Sequence, residues 1–444
     1  MKNYADILQD LIKKSCEKGA TSADAMYVED EGISITIHDK KLENLERHDG
    51  HDLGLRIIVD GKQAIGSTSD LSKESLDTLV DQTISMARHL PADPYCGLAN
   101  PDQLVKDMPN IDSFDKTELQ AEDLIDMAIE CEAGALSVDG VSTTEEIQAS
   151  WSRTKSVLAS SNGFFGEKKS SSTGIVAVSI AGKLPDMQTD YDYDSSIYVE
   201  DLKSPSLVGK ISGERAVRRL NPRKIETGRF PIILDPRIGS SLLGNFAQAI
   251  NGISVARGTS FLKSSLGKKV FNNSITIIDN PLLLRGKRSR AFDAEGLPTK
   301  MREVVKDGVL TTWIMNLSAA RQMNTTSTGS AVRAPGSSSV PSVSNFYMQP
   351  GSISPKDLIK SIKKGFFVTE VMGNGINAIT GDYSMGASGF WIENGEIVYP
   401  ISEASIAGNL KDMFLNLTAC TDLTFHNGID VPTLLIEGMT TASQ

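Results

Sequence analysis

The sequence predicts an α+β protein built in two halves. An N-terminal mixed sheet flanked by helices is expected over residues 1–225, and a curved, mostly antiparallel sheet or partial barrel with helices over residues 226–444. Three observations carry this reading. Asp60-Gly61, Asp307-Gly308 and Asn394-Gly395 each separate two strand-like runs, and such pairs favour the turns of antiparallel hairpins. Amphipathic helix patterns concentrate before residue 220, whereas the remainder is sheet-rich. At 444 residues the chain is long enough for two or three domains, and Asn221-Pro222 marks a break between them.

Residues 3–18 read as a helix because Leu8, Leu11, Ile12 and Cys16 share one face, and Gly19 suits its stop. Ile33, Ile35 and Ile37 alternate with polar residues, as in a half-buried strand. Lys40-Lys41 and 48–51 read as turns. Residues 55–59 and 63–67 form a hairpin about Asp60-Gly61. Helices follow at 71–90 and 119–137, separated by a Pro-, Asp- and Asn-rich connection. Strands fill 141–196, where the acidic run 186–194 reads as a strand edge or loop, and 202–220 is helical. Residues 230–234 are a short buried strand. Asp235 then caps, and Pro236 opens, a helix carrying Leu242, Leu243, Phe246, Ala247 and Ile250. Further strands are expected at 275–278, 301–315, 390–399 and 433–436, with helices at 355–364 and 403–418. Residues 326–344, rich in Ser, Gly and Pro, lack periodicity and read as a long functional or mobile loop.

The net charge of −11 argues against a backbone-reading nucleic-acid binder, which needs a basic face. The one dense basic run, Arg285, Lys287, Arg288 and Arg290, reads as a solvated loop. The acidic balance disfavours anionic membranes, no apolar run approaches the ~20 residues of a membrane span, and the charged first helix is unlike a signal peptide. Cys16, Cys96, Cys131 and Cys420 are sparse and include no Cys-x-x-Cys, which fits a reducing cytosol. The expectation is a cytoplasmic protein that contacts neither nucleic acid nor membrane.

Chemistry-bearing motifs are few. The histidines are His38, His48, His51, His89 and His426, and nowhere do two stand with a glutamate in His-Glu-x-x-His or His-Glu-x-x-x-His. His48 and His51 flank a glycine turn rather than sharing a helix face. The surroundings of Ser388 lack the spacing of a nucleophile elbow, so no catalytic residue is assigned. Cys420, on an expected helix, reads as a buried structural thiol. Gly373-Asn374-Gly375 lacks the third glycine of a dinucleotide loop and reads as a turn. Asp293 and Glu295 could do acid–base work, but in a turn they more often brace the loop. Gly329, after Thr326-Ser327-Thr328, could offer amides to an anion; a plain loop is the simpler reading.

Taken in order, SRAFDAEGLPT (289–299), VVKDGVLTTWIMN, TSTGSAVR (326–333), SNFYMQPG (344–351), GFFVTEVMGNGINAITGDYSMGASGFWIENGEIVYPI and DVPTLLIEGMTTA form a set that resembles the TldD/PmbA family, described as modulators of DNA gyrase and as metallopeptidase subunits. The resemblance spans the chain and is strongest over 230–440. In that family the TldD subunits carry His-Glu-x-x-x-His on the helix before an Arg-Gly-Thr-Ser segment, and a third zinc ligand from a Cys-Gly-Lys loop. Here Arg257-Gly258-Thr259-Ser260 is present, but Leu243, Gly244 and Gln248 stand where the two histidines and the glutamate would, and the loop after His426-Asn427-Gly428 has no Cys-Gly-Lys.

The resemblance therefore implies the TldE/PmbA-like subunit, non-catalytic by itself, of a metallopeptidase that degrades or processes peptides. It implies pairing with a TldD-like subunit as a heterodimer, or with a second copy as a homodimer, and a share in forming the substrate chamber. Zinc is expected only in the partner, with no cofactor in this chain. Gly329, Arg333, Asn345, Phe346 and Tyr347 are the peptide-binding candidates, as a loop and strand edge that an extended peptide could line. The alternative is a homo-oligomeric peptide- or ligand-binding protein without protease activity. An independent hydrolase is a third reading.

Overall fold

Apolar–polar alternation over long runs dictates the first sheet. The computed structural model describes residues 4–443. Six strands pair in the order β3-β2-β1-β4-β5-β6: β1 (Ser22–His38), β2 (Lys41–Val59), β3 (Lys62–Thr68), β4 (Val141–Ser160), β5 (Phe165–Ala181) and β6 (Gln188–Ser196). Every pairing in it is antiparallel, so the parallel pairs between strands of this α+β chain lie in the second half.

One face of the sheet carries four helices, α1 (Tyr4–Glu17), α2 (Lys73–His89), α3 (Ala121–Leu136) and α4 (Pro205–Arg218). At one end α1 and α2 bury Leu8, Leu11 and Val80 against Ala25, Leu55 and Val157. At the other, α3 and α4 bury Leu124, Ala128 and Val208 against Ile35, Ile147 and Ile175. The second pair packs backbone to backbone: a Cβ on Gly209 would stand 1.8 Å from the Cys131 carbonyl oxygen. The opposite face of the sheet meets loops of the second half, and Gly54 lies so close to Pro335 that a Cβ there would overlap its carbonyl.

The turn expected at 48–51 is not formed. β2 runs straight through it, with His48 opposite Gly32 and His51 opposite Glu29. Residues 41–51 are exposed on both faces, so nothing imposes alternation there and the sequence keeps turn-like residues inside a strand.

The second half opens with β7 (Gly228–Leu234), α5 (Pro236–Ala249) and α6 (Gly252–Ala256). Then come β8 (Ile277–Asn280), β9 (Arg302–Lys306), β10 (Val309–Leu310), α7 (Leu317–Gln322), β11 (Ala331–Val332), β12 (Val340–Pro341) and β13 (Asn345–Met348). The chain ends with α8 (Pro355–Ser361), β14 (Lys364–Met372), β15 (Asp382–Glu393), β16 (Glu396–Asn409), α9 (Leu410–Leu415), β17 (Leu417–Ala419), β18 (Ile429–Asp430) and β19 (Leu434–Ser443). Strands β16-β15-β14-β7-β19 pair in that order, and β16 pairs again with β19, closing the expected partial barrel. A smaller sheet runs β10-β9-β8-β13-β18. β7–β14 and β13–β18 are the parallel pairs between named strands. The shared core centres on Phe246, whose ring meets Phe271 and Phe414 edge-on and stacks on Phe346.

The hairpin turns are as the sequence implies: both residues of Asp60-Gly61, Asp307-Gly308 and Asn394-Gly395 have positive φ. Three other expectations are corrected. The helix expected at 403–418 is confined to α9, because Ala404 and Ile406 alternate into the barrel and β16 is hydrogen-bonded on both sides. Cys420 consequently lies off any helix, buried, with its thiol pushed up to about 12 by burial. The basic run at 285–290 is not a solvated loop: Arg290 is buried, and Lys287 and Arg288 are half-buried between the halves. Among the described residues no helix is long and apolar enough to cross a membrane.

Candidate functional site

Helix α5 follows β7 without a gap. The Asp235 side chain accepts from the Arg237 amide and caps it, and Pro236 occupies the first turn, where its missing N–H costs nothing. Helical spacing then divides its residues. Leu242, Leu243, Phe246 and Ile250 face the barrel core, and Gly239 abuts Val431 and Leu434. Gly244 and Gln248, one turn apart, border open space: a Cβ on Gly244 would have no atom within 4 Å, and Gln248 is exposed.

These residues do not fit zinc. Leu243 presents hydrocarbon and is 2 % exposed, Gly244 has no side chain, and Gln248 has a neutral amide. A zinc site needs imidazole, thiolate or carboxylate donors. Among the described residues no group of three or more His, Cys, Asp or Glu is disposed to hold a metal ion.

A polar cleft opens where the N-terminal end of α5 meets edge strand β6 and the turn at 424–431. One chamber, about 170 Å³, is lined by Asp192, Tyr193, Arg237, Ser240, His426 and Asn427. A second, about 370 Å³, shares Lys203, His426 and Asp430 with it and extends past Lys287 and Phe425. Alternation along β6 sends Asp190, Asp192 and Asp194 to the helix-covered face and Tyr191 and Tyr193 to the other. Arg237 bonds Asp190 at 3.0 Å and the Tyr191 carbonyl at 2.9 Å while lying over the Tyr191 ring. Arg215 bonds Asp192 at 2.5 Å, and Arg219 bridges Asp190 and Glu370. Burial would raise the Asp194 carboxyl, yet the His426 ring and the Lys203 amide hold it below the usual carboxylate range.

Asp430 builds the turn itself, accepting from the backbone amides of His426, Asn427 and Gly428. The Ser240 hydroxyl donates to the Arg237 carbonyl. In the second chamber the Lys287 ammonium donates to the Ser195 hydroxyl and to the His426 carbonyl, so its polar groups hold one another in place.

The five peptide-binding candidates separate. Asn345 and Phe346 are buried in β13, which is hydrogen-bonded to β8 on one side and β18 on the other, so the strand edge expected there is not free. Gly329 is buried, with φ +63° and its amide donating to Ser327 Oγ. Tyr347 is half-buried, its ring edge-on to Phe425. Arg333 lines a separate cavity, and its guanidinium also bonds Asp24, while Asn345 lies in the wall of the second chamber of the cleft. Asp293 and Glu295 brace the turn. Asp293 accepts three backbone amides, from Glu295, Leu297 and Ala331; Glu295 accepts from the Leu317 amide and the Ser339 hydroxyl. Sequence reasoning missed the cleft. The Asp-Tyr-Asp-Tyr-Asp alternation of β6 was its signal, since carboxylates repeated on one buried face require cationic partners.

Profiles of the PmbA/TldA metallopeptidase match three successive stretches: domain 1 over residues 23–87, the central domain over 114–220 and the C-terminal domain over 227–443. A two-half α+β scaffold with this helix and cleft is thus a metallopeptidase-family architecture. The chain belongs to the PmbA/TldD metallopeptidase family. It is 34% identical over 443 residues to the metalloprotease PmbA of Escherichia coli O157:H7, covering 99% of this chain and 96% of that one. Its fold matches a proposed modulator of DNA gyrase from Bacteroides thetaiotaomicron, with a TM-score of 0.91, 27% identity and 100% of both chains covered. It also matches TldE from Thermococcus kodakarensis, with a TM-score of 0.85 and 20% identity over 98% of this chain and 100% of that one, a likeness of fold alone.

Proposed function

We propose that this chain is the non-hydrolytic, TldE/PmbA-like subunit of a TldD/TldE-type metallopeptidase, and that it helps wall the chamber in which a zinc-bearing subunit degrades or processes peptides in the cytoplasm. The observation that carries the reading is the donor set of α5: a family scaffold retains the helix, but Leu243, Gly244 and Gln248 supply no zinc ligand and no carboxylate base. Zinc, held by the TldD-like partner, would supply the activated water. This chain's own contribution is surface. The cleft beside β6 is lined with fixed polar groups at the turn where the family resemblance puts a third ligand. The outer edge of β2 is open to a second subunit, because β3 pairs only with Leu53 to Val59 and leaves Lys41 to Asp52 with β1 as sole neighbour.

The test is co-purification with a TldD-like subunit from the same cell, followed by zinc analysis and digestion of an unfolded peptide by each chain alone and by the pair. The expected result is that zinc travels with the partner, and that cleavage needs the partner and is chelator-sensitive. Stoichiometric zinc on this chain alone, with chelator-sensitive cleavage, would overturn the reading.

A further inference from the structure

A cavity of about 350 Å³ lies between the uncovered face of the first sheet and the loops of the second half. Lys168 reaches it from β5, opposite Ser156 on β4; Arg288 and Arg290 reach it from the 281–290 loop, and Arg333 from the segment after β11. Met26, Leu158 and Phe292 form its apolar walls. Four cations thus meet in one cavity with Asp293 as the one carboxylate in its lining, and the Asp293 oxygens are committed to three backbone amides.

Three of the four cations are not neutralised where they stand. Among the described residues Lys168, Arg288 and Arg290 have no carboxylate within ion-pair contact. The nearby Asp279 accepts from the Ser344 amide and hydroxyl instead. Arg290 is 8 % exposed, donates through Nη2 to the Ser342 carbonyl and leaves Nε without a partner. The Arg333 side chain is 2 % exposed; Nη1 bonds Asp24, while Nε and Nη2 have none. Burial, and then Arg290, hold the Lys168 amine below its ordinary value, and burial likewise depresses Arg288 and Arg290. Buried donors without acceptors and buried charge without countercharge each cost free energy that a bound anion would recover. Guanidinium groups are suited to a two-oxygen acceptor, and an ammonium adds a point charge.

We infer that this cavity is an oxyanion-binding site, built for the carboxylate or phosphoryl group of a small ligand or peptide end, with Lys168, Arg290 and Arg333 as its recognising side chains. The site is separate from α5 and stands independently of the partner role proposed above.

Calorimetric titration of the full chain at low salt tests it, using two probes: inorganic phosphate, and an N-acetylated tripeptide with either a free or an amidated C-terminus. At least one oxyanion is expected to bind, the amidated peptide not to, and Lys168→Gln to weaken binding about tenfold or more. Lys168→Arg should restore most of it, and Lys183→Gln, an exposed site elsewhere, should change nothing. Binding of the carboxylate alone assigns a carboxylate ligand, and binding of phosphate alone a phosphoryl ligand. The inference is overturned if neither probe binds the wild type up to roughly 10 mM, or if Lys168→Gln, folded by circular dichroism, binds as tightly as the wild type.

Discussion

Two charged regions join the halves of this chain, and they are wired in opposite ways. Beside β6, Arg215, Arg219 and Arg237 each reach a carboxylate, at Asp192, at Asp190 and Glu370, and at Asp190 and Asp235. Beneath β4 and β5, among the described residues, Lys168, Arg288 and Arg290 reach none, and Arg333 reaches Asp24 through one nitrogen. A buried ion pair is costly to break on one side, since the surviving charge is stranded in a poor solvent; a buried charge that never had a partner is already stranded. The first region is therefore a brace that folding depends on, and the second holds charge that folding does not need.

The largest effect expected from this contrast is at the brace. Asp190→Asn takes from Arg237 one of its two carboxylates, leaving Asp235, and weakens the hold on Arg219, so urea denaturation should show a loss of about 2–4 kcal/mol. A loss under about 1 kcal/mol, the range of an exposed pair, would erase the distinction between the two regions.

Glu295 lies between these extremes, a buried carboxylate held by a backbone amide and a hydroxyl rather than by a cation. Burial, and then Asp293, push it up to about 7. The folded state thus holds this proton more tightly than the unfolded chain does, so the group's contribution to stability falls as pH rises from about 4.5 to about 7 and is level above that. Glu295→Gln removes the titration. The stability of the variant relative to wild type should therefore rise across that window, by on the order of 1–3 kcal/mol. A difference that is flat with pH in denaturation series at several pH values would show that the carboxyl is not held protonated.

The contrast also applies within α5, between its packed stripe and its open face. Gly244 is mid-helix with open space beside it, so Gly244→Ala should stabilise the chain by about 0.5–1 kcal/mol through lower unfolded-state entropy. Destabilisation in thermal melts would reveal a close approach that the open face excludes.

Much of the scaffold could be read from the residues, and the reasons are local. Asp-Gly and Asn-Gly turns fix positive φ within two residues, and the Asp235-Pro236 start of α5 is decided within one turn. The lack of zinc donors at Leu243, Gly244 and Gln248 is likewise a property of a short segment. Where long-range pairing decides, the reading failed. Residues 404–407 are held as strand between the hairpin partner β15 and the distant β19, and β13 lost its free edge to β18, more than eighty residues on. The cation cavity was hidden for the same reason. Lys168, Arg290 and Arg333 are far apart in the chain, and only strand register and loop docking bring them together. The aspartates of β6 showed their alternation, but their arginine partners lie 23 and 47 residues away.

The smallest expected change carries the most information about the contrast. Lys168 has no hydrogen-bond or ion-pair partner among the described residues to strand, and its amine is disfavoured by burial and by Arg290. Its ordinary value is lowered in the folded state, so near neutral pH the protonated amine opposes folding, and removing it relieves that opposition. Lys168→Gln should leave the ligand-free chain within about 0.5 kcal/mol of wild type, or slightly more stable, the behaviour of a site outside the packing network. The same charge-for-amide exchange at Asp190 is expected to be severely destabilising, so the two variants measured side by side compare a brace with a receptor under one denaturant and one buffer. If Lys168→Gln instead destabilises as Asp190→Asn does, the amine is pinned by contacts of its own, and the cavity is a second brace.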